Sequence, residues 1–360
     1  MRSKWGLAGA LVAAAVLVFG ASSCSSVGYY SQAVGGHLKL MRARQSIDDV
    51  IANQATSPEL RQKLQTLVDA RQFAVSELGL PDNDSYSTFV ETGRAAVTWN
   101  VVAAEEFSVN PKTWCFPVAG CVSYRGYFAR EDADAYANSL AAQNYDVTIG
   151  GASAYSTLGW FDDPVLDTML RGRDTRYVGT LFHELAHQLL YVKDDSNFNE
   201  AFATFVEQQG TRQWLAANFE AQRIEQFDAS LQRAEDFVGL LRTTRKSLQA
   251  TFAKDINEPT MRAEKAEVFA TMREEYEALK VQWGGFSGYD NWFKRDLNNA
   301  RLVAVSTYRQ FVPAFYAMYI EAGEDLVAFY DVAKVTAELP AKERRERMNA
   351  YIAALRATSS

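Results

Sequence analysis

One stretch limits the chain more than any other: Thr180-Leu-Phe-His-Glu-Leu-Ala-His-Gln-Leu-Leu-Tyr-Val192. It has no Gly or Pro, and its apolar and polar residues alternate at helical spacing, so the segment is predicted to be a helix. Residues four apart on a helix lie on one face. His183 and His187 therefore stack in an H-E-x-x-H pattern, with Glu184 beside them. Leu181, Phe182, Leu185, Leu189 and Leu190 would bury the other faces. Two imidazoles in this relation can bind one divalent ion, and the intervening glutamate stands where a general base is needed. The chain has 3 histidines, and this motif uses all but His37. A buried helix with a purely structural His pair and a surface Glu is the competing reading.

A third ligand favours the metal reading. Asn199-Glu200-Ala-Phe-Ala-Thr-Phe-Val-Glu207 reads as a second helix, entered through the polar turn Lys193-Asp194-Asp195-Ser196-Asn197. Antiparallel packing of the two helices would bring Glu200 to His183 and His187. Asp194 and Asp195, on the loop, are rival ligands. Two imidazoles and a carboxylate in tetrahedral geometry suit one Zn2+ per chain.

The N-terminus has the form of a targeting segment. Arg2 and Lys4 precede the apolar run Leu7–Phe19, then small residues lead to Cys24. Ala21-Ser22-Ser23-Cys24 resembles a bacterial lipobox, with Cys24 as the lipidated first residue; a plain secretory signal is the alternative. Ser25, where Asp would favour inner-membrane retention, points to an outer-membrane lipoprotein facing the periplasm. Its partner there would be the lipid bilayer, reached through the N-terminal anchor. Cys115 and Cys121 are expected to form a disulfide closing a hairpin-like loop, as an oxidising compartment permits. Without residues 1–23, which contain Arg2 and Lys4, the formal charge moves from −7 to −9. Nucleic acid is excluded as a partner by this balance and by the lack of a basic block.

The remainder is predicted to be α+β and mostly helical. Residues 1–23 are the signal peptide and 24–360 a single domain: N-terminal helices over 24–84, sheet and zinc-binding helices over 85–210, a long helical hairpin over 211–283 and C-terminal helices over 284–360. Ser57-Pro58-Glu59 is a helix start. Ala95–Ala104 and Tyr145–Ile149 are β-rich, giving a small mixed sheet before the metal helix. Asn257-Glu-Pro259 is expected to break the hairpin, and Arg344–Ser360 to lie at the periphery.

Together these motifs resemble a family of bacterial predicted zinc aminopeptidases, usually lipoproteins. The resemblance rests on Gly28-Tyr29-Tyr30-Ser-Gln32, Trp114-Cys115-Phe-Pro, Gly120-Cys121-Val-Ser-Tyr124-Arg125-Gly126-Tyr127-Phe128 and Ala154-Tyr-Ser-Thr-Leu-Gly-Trp160. It continues through Phe182-His-Glu-Leu-Ala-His-Gln188, Phe198-Asn-Glu-Ala-Phe-Ala-Thr-Phe205 and Asn298-Asn299-Ala300. It implies a gluzincin-like metallopeptidase core in which His183, His187 and Glu200 hold zinc and Glu184 is the catalytic base. The gap between His187 and Glu200 is shorter than in better-known gluzincins. The implied reaction is hydrolysis of a peptide substrate in the cell envelope. Tyr155, Tyr127 and Tyr308 are candidates to stabilise the oxyanion. By analogy with zinc peptidases, residues 153–158 are either a cleft-edge strand that pairs with substrate or an internal strand. A non-catalytic metal-binding envelope scaffold, and an endopeptidase or amidase acting on peptidoglycan peptides, are the alternative functions.

Overall fold

A computed structural model of the chain describes residues 28–116, 120–157, 161–306 and 310–358. The targeting segment with Cys24, and the candidate Tyr308, lie outside them. The described residues are α+β and mostly helical. In chain order they are α1 (28–42), β1 (Gln45–Ser46), α2 (Ile47–Ala52), α3 (Pro58–Ser76), β2 (Thr88–Val90) and β3 (Thr98–Glu105). Then come β4 (Trp114–Phe116), β5 (Gly120–Val122), β6 (Arg125–Tyr127), α4 (Arg130–Ala141), β7 (Tyr145–Ala152) and β8 (Val165–Leu166). Helices follow: α5 (Asp174–Leu189), α6 (Ser196–Asn218), α7 (Ala221–Phe252), α8 (Glu258–Gln282), α9 (Asp290–Phe293), α10 (Asn299–Ser306), α11 (Val312–Glu321), α12 (Leu326–Ala337) and α13 (Ala341–Thr358). Among the described residues no helix is long and apolar enough to cross a membrane.

The expected mixed sheet is three small sheets. Only β1-β2-β8 is mixed; β6-β3-β7 is antiparallel throughout, and β4-β5 is a two-stranded hairpin. Strand β3 has a separate core on each side, because successive strand residues face opposite ways. Val101 and Ala103 pack with Tyr127, Ala133, Ala137 and Leu140, while Val102 and Ala104 meet Phe237, Leu241, Phe269 and Met272 of the α7–α8 hairpin.

The largest core surrounds α5 and α6. Leu181, Phe182 and Leu185 of α5, spaced for one face of a helix, meet Phe198, Phe202 and Phe205 of α6. The α6 phenylalanines in turn meet Phe315 of α11 and Phe329 of α12. The approach of α5 and α6 depends on Gly179, where a Cβ would lie 3.1 Å from Glu207 Cγ and 3.2 Å from Thr211 Oγ1.

Helix starts follow the sequence signals. Ser57 caps α3 by accepting from the Leu60 N–H, and Asn257 caps α8 by accepting from Thr260, each with Pro in the first turn. Three expectations change. Helix α6 continues through residue 210 to Asn218, so the hairpin begins at α7. Residues 153–157 form no strand; the strand ends at Ala152. The start of α13 is interior, not peripheral: Arg344 is 5 % exposed and Met348 0 %, and Arg344 Nε donates to Asp195 Oδ2 at 2.8 Å.

Candidate metal centre and cleft

The turn between α5 and α6 decides which acidic residue reaches the histidines. Asn199, buried at the start of α6, accepts from the Val192 N–H at 2.7 Å and donates to the Val192 carbonyl at 2.8 Å. Asp195 caps the same helix by accepting from the Phe198 N–H. The chain is thus reversed and clamped immediately before Glu200. The rival ligands have other tasks. Asp195 also binds Arg344, and Asp194 Oδ1 accepts from the Cys121 N–H at 2.8 Å. Cys121 is joined to Cys115, its register partner across the β4–β5 hairpin, as the loop reading anticipated.

His183, His187 and Glu200 converge. The two Nε2 atoms are 3.1 Å apart, and Glu200 lies 3.5 Å from His183 Nε2 and 3.7 Å from His187 Nε2. The two Glu200 distances are to different carboxylate oxygens, Oε2 and Oε1, and one ligand atom from each residue lies within 4.8 Å of the others. Two imidazoles and a carboxylate form a donor set of the kind that suits a divalent ion such as zinc.

Sequence reasoning missed the fourth member of the cluster. Glu207 Oε2 is 3.0 Å from His183 Nδ1, which leaves Nε2 to face the cluster and fixes the ring. It lies two helical turns beyond Glu200 on the same face of α6, and that spacing was the available signal. Asp163, 0 % exposed, was also missed. It accepts from the Thr157 N–H at 2.8 Å and the Thr157 hydroxyl at 2.9 Å, folding the 154–157 segment against the centre.

Charge is distributed unequally over these groups. Burial raises Glu184 to about 7, with Glu200 and Asp163 adding to the effect and His183 and Ser156 opposing it. Burial, aided by the His183 charge, lowers His187 to about 4. Burial also works against a charged His183, but the hydrogen bonds it donates to Glu200 and Glu207 lift it well above the usual histidine range. Glu200 is held below the ordinary carboxylate range despite burial, through its contact with His183 and the charges of both imidazoles.

These residues open on a cleft of about 890 Å³ whose other wall is β7 with residues 153–156. Among the described residues β7 pairs only with β3, so it is the edge strand of its sheet. The Ala152 carbonyl turns inward to Val97, and the Val147 carbonyl turns outward to Asn298 Nδ2. By alternation, Ile149 and Gly151 present their main-chain groups on the outer edge. The cleft-edge strand is therefore β7, while residues 153–157 of the expected strand are not one and residue 158 lies outside the described residues. Tyr155 lines the cleft against Phe128, its hydroxyl raised to about 12 mainly by burial. Tyr127 packs instead in the core beside α4. Tyr191, not anticipated, also lines the cleft, with its ring 6.4 Å from that of His187.

A protein family described as "Putative aminopeptidase" matches residues 28–348. The chain belongs to this family. No curated protein and no solved structure matches. The aminopeptidase match spans the whole cluster and both walls of the cleft, and a peptidase family implies peptides as the substrate class.

Proposed function

We propose that the protein is a zinc-dependent peptide hydrolase, of aminopeptidase type, built on a gluzincin-like core. His183, His187 and Glu200 would hold the ion, and Glu184 would be the general base. The observation that carries this reading is the convergence of two imidazole nitrogens and a carboxylate, all within 4.8 Å of one another, on the wall of a cleft of about 890 Å³. A scaffold with a structural ion would not need a half-buried carboxylate such as Glu184 in that position.

Bound there, a divalent ion supplies Lewis-acid polarisation of a carbonyl and acidification of water. The rest is work for the chain. Glu184, raised to about 7, is divided between its two protonation states near neutral pH. It can take a proton from the attacking water and return it to the leaving amine. Glu207 keeps His183 in the tautomer that turns Nε2 toward the other ligands. The free edge of β7 would align an extended substrate by main-chain hydrogen bonds, and Tyr155 or Tyr191 would donate to the developing oxyanion.

We place this activity in the bacterial cell envelope, with Cys24 lipidated and the remainder of the chain forming one domain. The leader pattern and the Cys115–Cys121 disulfide support export. The decisive experiment measures metal content and peptidase activity of the chain from Ser25 onward, beside its Glu184→Gln variant. Both should carry about one zinc, and only the parent should cleave amino-acyl substrates. A parent without metal would sink the proposal, and a zinc-loaded parent that cleaves no peptide would make the protein a scaffold.

A further inference from the structure

The cleft has a second charged feature, which the hydrolytic machinery does not use. Arg301, in the first turn of α10, and Arg295, in the loop before it, line the same cleft as His183 and Glu200. Arg301 is only 8 % exposed, and its Nε is buried with no hydrogen-bond acceptor. Among the described residues neither arginine forms an ion pair, and the residues outside that set contain no Asp or Glu. The chain has 44 acidic residues against 37 lysines and arginines, so carboxylate partners were plentiful. Both neighbouring charges that act on Arg301, those of Arg295 and Arg273, are repulsive.

An unpaired buried guanidinium is costly, and the cost is removed when an anion enters. Its guanidinium lies over the ring of Trp292, 4.7 Å from the ring centre, which covers one face, and among the described residues its Nε has no acceptor. Arg125 offers a contrast: it lies over the rings of Tyr29, Tyr127 and Tyr136, and its charge is met by aromatic faces.

The fold also sets where this charge lies relative to the reaction. Asn298 fastens the base of α10 to the Val147 carbonyl, and Asn299 donates to the Glu105 and Glu106 carbonyls. Ser156, which interacts with Glu184, lies beyond the other end of β7. Thr148 to Ala152 separate the two ends, four steps of about 3.3 Å, or on the order of 13 Å. An extended peptide covers that distance with about four residues.

We propose that Arg301, assisted by Arg295, forms a carboxylate-binding subsite at the α10 end of the cleft. It would hold a peptide whose carboxylate lies several residues from the scissile bond. The carboxylate is either the free C-terminus of a short peptide or the side chain of an acidic residue. The subsite rests on the peptidase reading for its ligand, but binding tests it apart from turnover.

The test is isothermal titration of zinc-loaded Glu184→Gln protein with three pentapeptides: penta-alanine acid, penta-alanine amide, and the amide with Glu at its fourth position. Tighter binding of the acid than of the plain amide, by tenfold or more, identifies a C-terminal carboxylate. An equal gain for the glutamyl amide identifies a side chain. In the Glu184→Gln/Arg301→Gln double variant the preference should fall to near one, with Arg301→Lys recovering part of it. Removal of an unpaired buried charge should leave the melting temperature unchanged or raised. Equal affinity for all three peptides, no binding of any, or a preference that survives Arg301→Gln overturns the subsite. A lowered melting temperature with the preference intact makes Arg301 structural. If the parent cleaves nothing yet binds the acid selectively, the peptidase reading fails and the subsite stands.

Discussion

The two ends of the cleft are built from opposite charge and by opposite means. At one end Glu200 and Glu207 meet two imidazoles, with Glu184 beside them and the charge of Asp163 acting on Glu184; all but Asp163 are on consecutive helices clamped by a side chain of the intervening turn. At the other, Arg295 and Arg301 are carried on a loop and a short helix fastened to strand edges by Asn298 and Asn299. At the acidic end His183 meets both Glu200 and Glu207, and the two imidazoles with Glu200 offer a cation site. The basic end leaves its charge unmet. A cleft polarised in this way both chooses a substrate orientation and concentrates an ion at one place, since low-dielectric walls focus the field of each cluster.

The comparison breaks first at the ligands. Glu200→Ala should abolish both ion binding and peptide hydrolysis, read by metal content and by turnover. Glu184→Gln should keep the ion and lose about 10²–10⁴-fold in kcat. Loss of the ion in that variant would move Glu184 from chemistry to structure. Next in size is Glu207→Gln, which should weaken zinc by about 10–100-fold, because His183 loses the carboxylate that orients it. A competitive chelator titration measures this. An unchanged affinity would mean that the acidic end holds its ion through direct ligands alone.

A smaller effect concerns the metal-free protein. The folded pKa of Glu184, about 7, lies above the ordinary glutamate value of 4.5. Its contribution to stability is therefore complete below the unfolded value and is lost as pH rises through about 7. In chelator at pH 8, Glu184→Gln should be more stable than the parent by on the order of 2 kcal/mol, with the difference vanishing near pH 4. Urea unfolding at the two pH values tests it. Smallest is Gly179→Ala. Its helix-propensity gain of about 1 kcal/mol is opposed by the 3.1 Å contact with Glu207. Stability should hardly change, while zinc affinity falls a few-fold as Glu207 is pushed from His183.

The acidic end was largely legible before any coordinates. The motif and the polar turn reveal themselves locally, through helical spacing and turn residues, and they identify His183, Glu184, His187 and Glu200. Capping signals likewise located the starts of α3 and α8. Glu207 carried a spacing signal that went unread. Asp163 carried none, since a buried carboxylate is marked only by the Thr157 and Ser156 groups that meet it in the folded chain. The basic end was illegible for the same reason. Arg301 looks like any surface arginine until its helix is fastened to β7. The misplaced edge strand and the interior Arg344 are also consequences of tertiary contacts, which periodicity does not encode.

The clamp of Asn199 on Val192 has a kinetic consequence. It closes a loop between helices that are neighbours in sequence, so the ligand cluster is made of short-range contacts, which form early because little chain entropy is spent on loop closure. The opposite wall joins β3 to α10, 194 residues apart at the Glu105–Asn299 contact, and must come later. An ion captured by the helical hairpin would then act as a folding template. Refolding with zinc should speed the steps that build α5 and α6 and leave the docking of α10 unchanged, so a folding chain would hold its metal before it could hold a peptide.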